Sequence, residues 1–226
     1  MEKSGPVIIG FQHFGEENAC KIIAALRERR LKEGDTVAIE LTPMRAKMFQ
    51  WLNTSDNLKS HLSELDEAIK LAESAEAQGL KLPNIRKSSD IRALKGETIF
   101  FASLEKFLSS KGVKLLHLES DAHYERGMKA KNVRSDKNAS KKAKRLARFV
   151  IMPINEKYWK KRLEGTNPRF ILVGAGHVPA VKRMVPYKEA VETYKLSTHE
   201  RVRDELVRLK YRAEKGRRRF IRRMKR

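Results

Sequence analysis

The sequence is short of several features that would settle its class at once. One cysteine, Cys20, occurs among 226 residues. A lone thiol excludes an internal disulfide and a cysteine-based zinc site. Long hydrophobic runs are missing too. The longest apolar stretches, such as Phe170-Ile171-Leu172-Val173, fall far below the ~18–20 residues that a membrane-spanning helix needs. No hydrophobic signal region opens the chain, and there is no internal repeat and no Pro- or Ser-rich linker. What is present is 40% apolar residues, enough to build a core, in a length that suits one domain or one domain with an appendage. The expectation is a cytoplasmic protein with no transmembrane segment.

Acidic residues are scarce in only one half. Residues 1–125 carry 18 basic and 19 acidic side chains, a net of −1, whereas residues 126–226 carry 32 and 9, a net of +23. Nearly all the chain's +22 therefore comes from the second half. Residues 126–148 hold ten basic groups and one acid, and residues 201–226 hold thirteen and three. Such runs attract phosphate backbones and anionic lipid, or simply coat a solvated helix face. Aromatics are sparse in the tail (Tyr211 and Phe220), so contact with phosphates would outweigh base stacking.

Hydrophobic patterning predicts strands over 6–12, 36–41, 113–118 and 169–173, each a short apolar run. Between them, helical spacing predicts helices from Glu16 to about Glu33, from Pro43 through Trp51, over 60–78 and over 97–110. Residues 79–89 read as a loop. A long polar helix or helix pair is expected over 122–163, broken near Pro153. Val202, Leu206, Leu209 and Ala213 make a narrow apolar stripe after a capping box at Ser197 and Glu200. Strands alternating with helices give an α/β fold with a largely parallel central sheet. Residues 1–185 are expected to form this domain, with 122–163 as a basic helical segment inside it and 186–226 as a basic C-terminal helical extension.

In open α/β sheets ligands bind at the carboxyl ends of strands, and here those ends are polar. The first strand runs into Gly10-Phe11-Gln12-His13. The second carries Glu40, with Arg45 beyond it. The third is followed by Glu119, Asp121 and His123. The fourth runs into Gly174-Ala175-Gly176-His177. Two Gly-x-x-His elements and a carboxylate suit a borderline divalent metal such as zinc with open positions for water. A spare carboxylate can serve as general base, and Arg45 or Arg126 can hold an oxyanion. Gly10, Gly174 and Gly176 let a bound group or a second backbone approach closely. Each element also has a structural reading: a strand-end histidine caps helices or sits satisfied in cores, and Glu40 can pair with Arg45. Gly174-Ala175-Gly176 lacks the third glycine of a dinucleotide loop, since Pro179 stands there. His117 is expected to be buried in its strand and Cys20 buried on its helix, while Met48, Phe49 and Trp51 are expected to pack a helix face.

In this order the motifs resemble the TraB/PrgY/Tiki family. The resemblance rests on Gly10 with His13, on Val37-Ala38-Ile39-Glu40-Leu41 with Arg45, and on Ile171-Leu172-Val173-Gly174-Ala175-Gly176-His177-Val178-Pro179. Glu125-Arg126 with Met128 is similar to the family's Arg-rich element. It covers about residues 5–185. The resemblance implies an α/β core of paired-repeat character and a metal-dependent, peptidase-like hydrolase site, with manganese or cobalt in the Tiki branch. Carried onto this chain, it implies His13, Glu40 and His177 as the metal set, Arg45 in support and Arg126 as counterpart of the family arginine. Thr42 departs from the acidic or small residue that many members have there. The expected activity is hydrolysis of a peptide or ester bond assisted by Mn, Co or Zn. The alternative is a non-catalytic relative that binds nucleic acid or another polyanion through residues 126–148 and 201–226.

Overall fold

The computed structural model describes residues 5–54, 56–80, 87–135, 138–141, 143, 156–194, 197, 202, 206, 209 and 213. Of the basic run 201–226 only residues 202, 206, 209 and 213 are described, and of the capping box expected at Ser197 and Glu200 only Ser197; Glu200 and Pro153 lie outside the described residues. The chain divides into two compact units, each drawn from separate stretches.

The first unit comprises residues 1–10, 36–43 and 115–226 and is built on a five-stranded, all-parallel sheet. Its strands are β1 (Val7–Phe11), β2 (Thr36–Ile39), β3 (Lys114–His117), β4 (Phe170–Gly174) and β5 (Glu189–Glu192), in the order β3-β2-β4-β1-β5. Strands β1 and β4 are near-continuous apolar runs, buried along almost their whole length. That pattern belongs to strands covered on both faces of a parallel sheet. β4 pairs with β2 in the register Val37 to Phe170 and Ile39 to Leu172. β5 pairs with β1 from Val7–Glu189 to Gly10–Glu192. The expected domain boundary at 185 is therefore corrected: residues 189–192 are an edge strand of the sheet. They escaped the apolar pattern because Glu189 and Glu192 are exposed and only Ala190 and Val191 are apolar.

Helices α5 (Asp121–Ser135), α6 (described over 156–163) and the short α7 (Val178–Val181) complete this unit. Its core joins Ile8, Ala38, Ile171 and Val173 of the sheet to Trp159 and Leu163 of α6 and to Val178 and Val181 of α7. Gly10 is where α7 comes closest to the sheet. A Cβ there would lie 2.4 Å from Val178 Cγ2 and 3.5 Å from Ala175 Cα. Beyond the sheet, Val202, Leu206, Leu209 and Ala213 are helical, and the three larger side chains are about half exposed.

The second unit comprises residues 11–35 and 44–114 and is helical: α1 (Gly15–Glu28), α2 (Pro43–Leu52, from Met44 on), α3 (Asn57–Ala77) and α4 (Ser88–Ser110). α4 packs against both α1 and α3. Its start nine residues before the expected one places Ile91 on the apolar face that meets Leu65, Ile69 and Ala72 of α3. Phe49, Phe100 and Phe101 form an aromatic centre with Phe11. Gly112 ends α4 at φ +61°, a left-handed conformation that only glycine takes without strain. Cys20 is exposed, against the expectation: on α1 the buried positions are Ala19, Ile22, Ala25 and Leu26, and position 20 faces the other way. Likewise only Phe49 of the α2 trio is buried, while Met48 and Trp51 are exposed. Among the described residues, no helix is long and apolar enough to cross a membrane.

Candidate functional site

Three side chains of the first unit converge at the carboxyl ends of β2 and β4. Glu40 follows β2 directly. Its Oε2 accepts a 2.6 Å hydrogen bond from the backbone N–H of Gly174, the last residue of β4. β4 then tightens into a 3-10 turn over Ala175–His177, which brings the His177 imidazole back over Glu40. Nε2 lies 3.6 Å from Glu40 Oε1. On the other side of the ring, Nδ1 is 3.1 Å from Glu156 Oε1. If Glu156 is ionised it can only accept, and Nδ1 would then be the donor. Glu40 and Glu156 are 9% and 8% exposed, values that charged residues reach only when paired. Trp159, fully buried, packs edge-on against the same imidazole, with centroids 4.7 Å apart at 63°. Among the described residues its indole nitrogen has no hydrogen-bond partner.

The expected site residues are distributed unevenly. Glu40, His177 and Gly174 come together, and Gly174 contributes its N–H rather than an opening for a bound group. Gly176 lies inside the 3-10 turn. Gly10 lies against Val178, which occupies the space that a side chain there would need. His13 belongs to the second unit, where its ring lies 4.9 Å from Phe11 and 5.4 Å from Phe101. Arg45 is in that unit as well. It pairs with Glu97 at 2.9 Å and stacks over Phe101 and Phe49 at 5.0 and 5.6 Å. Among the described residues, no group of three or more His, Cys, Asp or Glu is disposed to hold a metal ion.

A second polar cluster borders the end of β3. His117 is half-buried; its Nδ1 is 3.2 Å from the Leu41 carbonyl. Burial holds its pKa below the usual histidine value, with the Arg162 charge adding to this and the Leu41 bond opposing it. His123 stacks on Tyr158 at 4.2 Å and shares a 2.7 Å hydrogen bond with Ser120. Burial and the nearby Arg126 lower its pKa. Arg126 itself is exposed on α5, so its effect is exerted on His123.

Glu156 is the member of this cluster that the sequence did not disclose. It sits in Glu156-Lys157-Tyr158-Trp159-Lys160-Lys161-Arg162, which reads as a charged surface helix. The usable signal was its spacing: Glu156, Trp159 and Leu163 follow i, i+3, i+7, the interval of a single helix face, and all three are buried.

What this arrangement can do follows from its donors. Glu40 Oε1 and His177 Nε2 face each other at a separation close to that of two ligands on one ion with ~2.0–2.2 Å bonds. The carboxylate on Nδ1 is the outer partner that metal-bound histidines commonly have. The pair therefore fits a borderline divalent ion as two of its ligands. Without an ion, the same pair is a carboxylate beside an oriented imidazole, the material of general acid–base catalysis. The chain matches no protein-family model, no curated protein and no solved structure.

Proposed function

We propose that this chain is a TraB/Tiki-like hydrolase that cleaves a peptide or ester bond at the Glu40–His177 centre, with help from a divalent metal (Mn, Co or Zn). The observation that carries the reading is the buried imidazole of His177 addressed by a different carboxylate at each ring nitrogen. Glu40 and His177 would hold the ion, which would acidify a bound water and polarise the scissile carbonyl. The chain's own contribution is positional and protonic. Gly174 N–H fixes Glu40 through Oε2, so that Oε1 stays directed at the ion position beside Nε2 of His177. The attacking water would lose its proton to solvent and the departing amine or alkoxide would take one up, completing addition of water across the broken bond. His177 keeps Nε2 directed at the same oxygen.

The test compares wild type with Glu40→Gln and His177→Ala. Bound Mn, Co and Zn and turnover of a panel of peptide and ester substrates are measured in each. The expected result is metal in the wild type only and a loss of turnover of roughly 10²-fold or more. Equal metal content in all three proteins overturns the metal-assisted reading. A second reading is supported by the charge of residues 126–226: a non-catalytic relative that binds nucleic acid or another polyanion by its phosphates.

A further inference from the structure

Glu156 and Trp159 stand one helical turn apart on α6, so their side chains share a face. Both meet the His177 ring, one through a 3.1 Å hydrogen bond to Nδ1 and the other through an edge-on contact at 4.7 Å. The segment expected to serve only as a basic surface thus presents an acid and an indole to the candidate centre. An imidazole left to itself has two ways to be useless here. It can turn about χ2, which is a broad, two-fold torsion, or it can place its single neutral-state proton on Nε2, the tautomer that an unassisted histidine in water prefers.

We infer that Glu156 and Trp159 are positioning residues that fix the rotamer and the tautomer of His177. Glu156 accepts only, and so requires N–H at Nδ1. The neutral ring is then left with a lone pair at Nε2, 3.6 Å from Glu40 Oε1, where an ion or a proton would be received. Trp159 blocks rotation of the ring. Among the described residues its buried N–H has no acceptor, and the indole, larger than a phenyl ring, supplies the surface against His177. The value of this device to catalysis rests on the hydrolase reading above; the tautomer itself does not.

Long-range 1H–15N spectra of the full-length chain report the tautomer directly, followed from about pH 6 to 9 so that the neutral ring is sampled. The expected wild-type pattern is a protonated Nδ1 and an unprotonated Nε2. Glu156→Leu should move the proton of the neutral ring to Nε2. Glu156→Gln, which keeps an acceptor oxygen and the size of the side chain, should retain the wild-type pattern and serves if the leucine variant does not fold. Co2+ affinity, titrated separately, should fall about 10–100-fold in Glu156→Leu. A wild-type ring with its neutral-state proton on Nε2, or a Glu156→Leu spectrum that matches wild type, overturns the inference. A wild type that fails to bind Co2+ but shows the Nδ1–H tautomer overturns the metal-assisted reading and leaves the positioning role standing.

Discussion

Replacing Gly10 by alanine separates two uses of a Gly-x-x-His glycine: access for a bound group, or contact with a neighbouring helix. The new Cβ would sit 2.4 Å from Val178 Cγ2, more than an ångström inside the ~3.5–4.0 Å of a relaxed carbon–carbon contact. Neither side can withdraw easily. The Gly10 carbonyl is held by both the N–H and the hydroxyl of Thr193, at 2.9 and 3.0 Å, and the strand is registered against Glu192. Val178 is fully buried and, being β-branched, keeps one preferred χ1 in a helix. Overpacking of this kind costs about 1–3 kcal/mol, a fall in Tm of roughly 2–10 °C for a chain of this size. Urea denaturation followed by circular dichroism measures it. Because Val178→Ala removes the obstructing methyl, the double variant Gly10→Ala/Val178→Ala should be less damaging than the two single costs added together, by about 1 kcal/mol or more. A Gly10→Ala variant within about 0.5 kcal/mol of wild type, the usual range for a surface substitution, or strictly additive costs, would show that the glycine does not answer to Val178.

Three further outcomes are expected. Arg45→Met keeps an apolar stem over Phe49 and Phe101 but strips Glu97 of its partner; it should cost about 1–2 kcal/mol, and Arg45→Met/Glu97→Gln should recover much of that in the same denaturation assay. His117 has its pKa depressed by burial, so the unfolded chain binds its proton more readily. The stability contributed by the neutral ring is present above about pH 6.5 and is lost as pH falls toward the folded-state value. Stability measured against pH should decline less steeply on the acid side in His117→Gln, and an unchanged slope would refute the assignment. Deleting residues 214–226 removes eight basic groups and one acid. If the tail contacts phosphates, elution from a polyanion column should move to lower salt and its salt dependence should flatten; an identical profile refutes the contact.

Four strands and the polar character of their ends were legible because β1, β2 and β4 are short, largely buried apolar runs, and the edge strand β3, though not buried, keeps Leu115 and Leu116 within the apolar stretch 113–118. β5 left little trace, since an edge strand needs few apolar side chains. Glu40 and His177 could be picked out as polar groups where apolar runs stop. Their joining depended on Gly174 N–H and on a 3-10 turn, neither of which residue types announce. The two Gly-x-x-His elements look alike in sequence but have different local surroundings: Gly10 lies against Val178, the Gly174 N–H meets Glu40, and the His13 ring contacts phenylalanines. Glu156 was hidden by its lysine and arginine neighbours, because composition registers charge before it registers which helix face a residue occupies.

The strand order has a consequence for synthesis. β4 lies between β2 and β1, so the two earliest strands are not partners of each other: β2 can pair first with β3 on its other edge, whereas β1, between β4 and β5, must wait for residues 170–174. At about 5–20 residues per second, the interval between completing β2 and completing β4 is on the order of ten seconds. During that time two strongly apolar segments are out of the exit tunnel with unpaired edges. The helical stretches between β2 and β3 contact one another locally and can organise early, whereas the sheet is closed by the last third of the chain. A ribosome stalled before residue 170 would therefore hold a nascent chain whose β1 has neither of its sheet neighbours.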